Sequence, residues 1–257
     1  DLNSTGLFRI VSHKAFPEFV KLDTMPNFES WMSIKAKSLL QIRVSLDSDN
    51  KYKLDFYLWD INGKEQIEAQ TLIASKKSVR RLGHLTADSV YERLTGEVGY
   101  FDTQIVFIAE TGPVDERIKR MAIMDQDGFN FRYISDEKTF VMSPHFSPNL
   151  RTIIFLSYRN DDPSVWTLDM DTGQQRRLGK FGGMNFSPRF SPDGTKIAFN
   201  SNRSGSQQIH VLDLKTGQEQ RITYGAGRYA TPAWSPDGEF IAFTKIADNT
   251  FYVGIMN

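Results

Sequence analysis

Short apolar runs recur along the second half of the chain at a fixed interval. Ile153-Ile154-Phe155, Ile197-Ala198-Phe199 and Ile241-Ala242-Phe243 lie 44 residues apart. Each follows a Ser-Pro dipeptide by six residues, at Ser147, Ser191 and Ser235. An acidic position keeps the same step at Asp125, Asp169 and Asp213. An earlier copy starts at Thr103 with Ile105-Val106-Phe107 and carries four extra residues near 111–120. Self-similarity at a fixed period is the mark of a repeat architecture. The units run 103–150, 151–194, 195–238 and, as a fragment, 239–257.

Within unit 195–238 the pattern predicts four short strands. Lys196–Asn200 and Ile209–Leu214 are rich in β-formers, and Glu219–Thr223 and Pro232–Trp234 follow. Lys215-Thr216-Gly217 and Ser235-Pro236-Asp237-Gly238 are turns: Pro presets φ, Asp bonds nearby backbone, and Gly accepts positive φ. Four strands per 40–45 residues is a propeller blade. Phe146, Phe190 and Trp234 are expected to pack between blades, because repeats bury a shared core by stacking. A closed ring needs about 4–8 blades, and fewer than four units are present. The chain is therefore expected to be part of a longer protein.

No repeat extends before Thr103. Leu7–Val11 reads as a strand. Asn27 is a helix N-cap ahead of Phe28, Trp31 and Ile34. Leu39–Leu46 and Tyr52–Trp59 alternate around Asp47-Ser48-Asp49-Asn50, a hairpin signal, and Ile67–Ala74 gives a third strand. Ser78–Leu94 reads as a helix stopped at Thr95-Gly96. The fold expected is thus an α+β domain over 1–102 joined at Tyr100–Thr103 to a partial β-propeller over 103–257.

Composition narrows the chemistry. Lys plus Arg and Asp plus Glu both number 31 among the 257 residues, so no bulk charge draws the chain to nucleic acid or anionic lipid. No apolar run approaches the ~18 residues of a membrane helix. The absence of cysteine excludes disulfides, thiolate zinc sites and a cysteine nucleophile. Asp1 is not an initiator methionine and no signal-like segment follows it, so any leader is expected to have been removed already. The four histidines, His13, His84, His145 and His210, form no metal-binding spacing. Asp125-Gln126-Asp127-Gly128 and Asp169-Met170-Asp171 lack the further oxygen ligands of a calcium loop. No phosphate loop or nucleophile elbow is present, and the Lys76-Lys77, Arg80-Arg81 run reads as a solvated helix face. A binding module without metal or cofactor is expected.

Turn alternation says where binding would occur. Counting from the innermost strand, Ser191–Gly194 and Lys215–Gly217 share one face. Asn202–Ser206 and the loops Phe181–Ser187 and Tyr224–Thr231 share the other, at the mouth of the channel. These loops differ most between units and carry Met184, Asn185, Phe186, Arg228 and Tyr229 as exposed-type residues. Variable loops on a rigid scaffold are the usual place for recognition.

The Ser-Pro-Asp-Gly blades, with Thr195–Phe199 and Ile209–Leu214, resemble the propeller of the TolB family. Arg81-Leu82-Gly83-His84, Asp88–Gly96 and Phe101–Ile105 resemble that family's helix and junction into the first blade. The resemblance implies a non-enzymatic periplasmic scaffold of the Tol–Pal system with a six-bladed propeller. Such a protein supports outer-membrane integrity and cell division. It implies binding of the peptidoglycan-associated lipoprotein Pal over the channel face, through Ser143, His145, Met184, Asn185, Phe186, Ser187, Arg228, Tyr229, Ala230 and Thr231. It also implies TolA binding through an N-terminal segment, and about two further blades, outside these 257 residues. Colicins exploit the family, and a monomer without membrane insertion is expected. The alternative reading is the gating propeller of a prolyl-oligopeptidase-like hydrolase whose catalytic domain lies beyond Asn257. A third, a sugar-lyase-like propeller with a channel metal, calls for clustered histidines.

Overall fold

A computed structural model describes residues 1–22, 24–159, 163–179 and 182–257. The chain divides into two compact units, one of residues 1–104 with 125–127, the other of 105–124 with 128–257.

In the first unit, β1 (Ser38–Leu46), β2 (Tyr52–Asp60) and β3 (Glu65–Ala74) form an antiparallel sheet in that order. The β1–β2 turn is built by Asp47, whose carboxylate accepts the Asp49 and Lys51 N–H groups at 2.9 and 2.8 Å, while Asn50 takes φ 60°. Helix α1 (Phe28–Ser33) starts where expected, with the Asn27 side chain accepting the Ser30 N–H. Its Trp31 is buried with Leu39, Trp59 and Ile61. Helix α2 (Val79–Thr95) lays Leu82 and Val90 on Leu54, Phe56 and Leu58 of β2. It ends at Gly96, φ 79°, whose N–H bonds Glu92 O. Asp88 of α2 accepts the N–H groups of Phe101 and Asp102 at 2.6 and 3.0 Å. A Cβ on Gly99 would stand 2.4 Å from Asp88 Cα, so this docked segment admits only glycine there. Leu7–Val11 is not a strand: it pairs with no edge of the sheet, and Leu7 and Ile10 stay exposed.

The second unit is a row of blades. Blade 1 holds β4 (Gln104–Thr111), β5 (Ile118–Asp125) and β6 (Arg132–Tyr133). Blade 2 holds β7 (Val141–Phe146), β8 (Thr152–Ser157), β9 (Ser164–Asp169) and β10 (Gln175–Arg177). Blade 3 holds β11 (Asn185–Phe190), β12 (Lys196–Ser201), β13 (Gln208–Asp213) and β14 (Glu219–Arg221). Blade 4 holds β15 (Arg228–Trp234), β16 (Ile241–Ala247) and β17 (Thr250–Met256). Neighbouring strands pair antiparallel.

Sheet and sequence repeat are offset by one strand. Unit 195–238 supplies β12, β13 and β14 to blade 3 but its last strand, β15, to blade 4. Two cores join the blades. Val106 and Ile108 of β4 meet Met121, Val141, Ile153, Phe155 and Leu168 between blades 1 and 2. Ile154, Val165 and Leu178 meet Phe190, Ile197, Phe199 and Leu212 between blades 2 and 3. Each fully buried side chain of this size contributes roughly 1.5–3 kcal/mol. No helix among the described residues is long and apolar enough to cross a membrane.

Candidate functional site

The first strands β7, β11 and β15 pack against one another, β11 lying beside both β7 and β15. They are the inner edge of the unit, and all three are bent by the same device. Ser143-Pro144, Ser187-Pro188 and Thr231-Pro232 stand 44 residues apart. The residue before each proline takes a left-handed φ, 50°, 49° and 49°. Pairing with the second strand slips at that point in every blade, between Met142 and His145, Phe186 and Arg189, and Ala230 and Ala233. Left-handed φ is costly for a serine and more so for a β-branched threonine. Proline has no N–H for a ladder, so within sheets it sits at edges and bulges. The three bulges therefore store backbone strain at one register along the inner edge, a pattern that clusters at functional sites.

The loops leading into these strands are held rigidly. Met184 N–H donates to Asn202 Oδ1 at 2.8 Å and Asn202 N–H to Met184 O at 3.1 Å, joining the approach to β11 to the β12–β13 turn. Tyr229 N–H donates to Gln207 O at 2.8 Å. A Cβ on Gly227, at φ 98°, would lie 2.7 Å from Ile246 O. Met184 and Arg228 are exposed, and Phe186, Ser187 and Ala230 half-buried. Asn185 and Tyr229 correct the expectation of exposed-type residues. Asn185 is wholly buried and donates to Gly183 O. Tyr229 packs on Phe243 and reaches Tyr224 O with its hydroxyl. Phe181, in the loop expected at 181–187, lies outside the described residues.

His145 and Arg189 follow the bulges at equivalent positions; Ala233 is the third. His145 keeps an exposed edge with Nδ1 3.0 Å from Phe146 O. Desolvation of the ring, and to a smaller degree Arg189, holds its pKa below the usual histidine value, while the Phe146 carbonyl opposes this. Arg189 is half-buried and donates to the Pro188 carbonyl at 2.9 Å. Its burial lowers its pKa too. The sequence pattern did not single out Arg189. The available signal was the proline inside each inner strand, directly before that position, which marks an edge and a bulge.

Elsewhere, polar clusters are engaged mostly by protein groups, with His84 Nε2 buried and without a hydrogen-bond partner among the described residues. His84 Nδ1 lies 2.9 Å from Asp1 Oδ2, and Nε2 lies 3.9 Å from Asp127 Oδ2. Asp1, His84 and Asp127 form a group at metal-ligand spacing among the described residues. Arg80 pairs with the same Asp127 oxygen, placing positive charge where an ion would sit. Arg81 pairs with Asp102, so half of the basic run on α2 is neutralised. Asp125 accepts from Gln104, and Asp169 folds onto the N–H groups of its own turn.

Two family profiles match the chain. One, described as the TolB amino-terminal domain, covers residues 1–67. The other, the TolB beta propeller domain, covers residues 91–249. The Tol-Pal system protein TolB of Paramagnetospirillum magneticum is 43% identical over 187 residues, 72% of this chain and 42% of its own length. The chain thus spans about two fifths of that relative. Among solved structures, TolB from Acinetobacter baumannii matches with TM-score 0.68 at 21% identity, over 96% of this chain and 72% of that one. A putative TolB from Agrobacterium tumefaciens matches with TM-score 0.51 at 17% identity, over 86% and 78%. With an amino-terminal match, a propeller match and the offset blades described above, the chain belongs to the TolB family.

Proposed function

We propose that the chain is part of a non-enzymatic periplasmic scaffold of the Tol–Pal system, and that the inner-edge face of its blades binds the lipoprotein Pal. The observation that carries this reading is the run of three equivalent strained bulges, which presents Ser143, Ser187 and Thr231 with their loops as one surface on a rigid frame. Met184, Phe186, Ser187, Arg228, Ala230, Thr231, Ser143 and His145 make contact there. Asn185 and Tyr229 set the loops from beneath. Exposed Met and Arg beside the half-buried Phe186 suit a protein interface better than a small-molecule pocket. The reading takes residues 1–102 as an α+β domain ahead of the blades. That domain also favours the scaffold over the hydrolase reading, since the amino-terminal match belongs to TolB. TolA binding through a preceding segment, colicin capture, a monomeric state and support of envelope integrity during division belong to the same proposal.

The test uses the full-length protein. Pal binding is measured by calorimetry for Met184→Ala, Phe186→Ala and Arg228→Ala, with thermal midpoints measured alongside. Hot-spot truncation costs about 1–3 kcal/mol of binding. The proposal expects such a loss with the midpoint unchanged in at least one variant. Unchanged binding in all three, or losses only where the midpoint collapses, would place the interface elsewhere.

A further inference from the structure

The inner strands, with the two or three residues directly ahead of each, carry charge of one sign. Residues 138–146, 182–190 and 226–234 occupy the same register in blades 2, 3 and 4. Their ionisable side chains are Lys138, His145, Arg189, Arg228 and Tyr229, with no Asp or Glu. Asp169, Asp193, Asp213 and Asp237 lie on the opposite turns and are consumed by their own turn N–H and hydroxyl groups, while on the approach to β7 Asp136 accepts the Lys138 and Thr139 N–H groups and Glu137 pairs with Arg120. Asp248 lies in the β16–β17 turn, and Arg203, in the β12–β13 turn, pairs with Glu219 of β14.

Arg189 is the centre of this asymmetry. Its guanidinium is half withdrawn from water, and among the described residues no carboxylate pairs with it. A desolvated cation without a counter-ion is unfavourable in the free protein and gains most when an anion arrives. The guanidinium fork matches a carboxylate bidentately. His145 lies on the preceding blade, close enough for Arg189 to affect its titration. The small Ala233 stands at the equivalent position of the next blade and leaves that side open. The Ser187 and Thr231 hydroxyls lie at the bulges beside it.

We propose that the inner edge receives an acidic peptide segment of the protein partner, with Arg189 binding one of its carboxylates and Arg228 and Lys138 drawing the segment in from the rim. The inference rests on the reading of this face as the partner surface and adds the partner's chemistry. Rim charges act mainly on association and its salt dependence, whereas the half-buried Arg189 acts on the lifetime of the complex.

The experiment uses the full-length protein with two probes, an octaglutamate peptide and the soluble domain of Pal, and octalysine as the control. Octaglutamate is expected to bind and octalysine not to. Arg189→Gln should weaken octaglutamate and Pal by at least about tenfold, while Arg189→Lys keeps part of the affinity because the charge remains and the fork is lost. Thermal midpoints of both variants should match the parent. Octaglutamate failing to bind, or binding equally to Arg189→Gln, overturns the inference. If Pal binding then still depends on Met184 and Phe186, the partner surface stands and only its acidic chemistry fails. If octaglutamate binds through Arg189 and Pal does not bind, the acidic preference stands and Pal is the wrong partner.

Discussion

Blades 2 and 3 share a backbone and differ in what fills it. Phe155 and Phe199 are equivalent and both buried. Around them the chemistry diverges. Val141, Leu156, Ser164 and Trp166 of blade 2 become Asn185, Asn200, Gln208 and His210 in blade 3, all buried in the latter. In blade 2, Arg159 stacks on Trp166, 4.6 Å from the ring centroid, and donates to Gln175 at 2.9 Å. In blade 3 the equivalent Arg203 meets His210 and Glu219, and Phe199 stacks on the imidazole at 5.8 Å. Gln208 accepts from Thr223, which accepts the Ile209 N–H at 2.8 Å. Register and turns define a blade, and its interior tolerates either an apolar or a hydrogen-bonded filling. The polar filling lies under the loop that carries Met184 and Phe186, and Asn185 and Asn202 tie that loop down.

The largest effect should be common to both blades. Phe155→Ala and Phe199→Ala are each expected to cost about 3–5 kcal/mol, read from denaturant unfolding. A large inequality between them would show that the two positions are not equivalent.

The next effect should separate the blades. Desolvation, with Arg203 and Arg221 adding to it, pushes the His210 pKa down to about 4, while Glu219 stands on the opposing side. An unfolded histidine titrates near about 6.5. As pH falls, the unfolded chain takes the proton first, so stability is intact above about 6.5, drains between there and about 4, and levels off below. The loss is at most about 3 kcal/mol. Replacing His210 by tryptophan, the blade 2 residue, should remove this contribution from the pH profile. A profile unchanged by His210→Trp would contradict the assignment.

A smaller effect should run the other way. Gly194 and Gly238 close their turns at φ 71° and 75°, but blade 2 places Leu150 there at φ 59°. Leu150→Gly should stabilise by about 1 kcal/mol, because relief of left-handed strain exceeds the entropy lost with glycine. A lower thermal midpoint would show that Leu150 contributes packing that its exposure does not suggest.

Much of this was written in the chain. The Ser-Pro spacing fixed blade periodicity, and Asn27, Asp47 and Gly96 marked helix and hairpin ends by local chemistry alone. The strand offset was hidden, because it depends on which neighbour an inner strand pairs with, and 44-residue periodicity is indifferent to that choice. Leu7–Val11 has strand composition, yet strands require a partner edge. At the candidate site, turn alternation grouped the loops but did not foresee the burial of Asn185 and Tyr229. Both are loop residues by composition and core residues by the packing of adjacent blades. Arg189 escaped notice because a lone arginine in a strand looks ordinary until three dimensions show no carboxylate pairing with it among the described residues.

The central claim is that the inner-edge face meets the partner and the opposite turn face does not. A photo-reactive residue placed at Met184, and separately at Lys215 in the β13–β14 turn, measures this directly in the full-length protein mixed with Pal. The account predicts a covalent adduct from position 184 and none from 215. Adduct from 215 with none from 184 would contradict it.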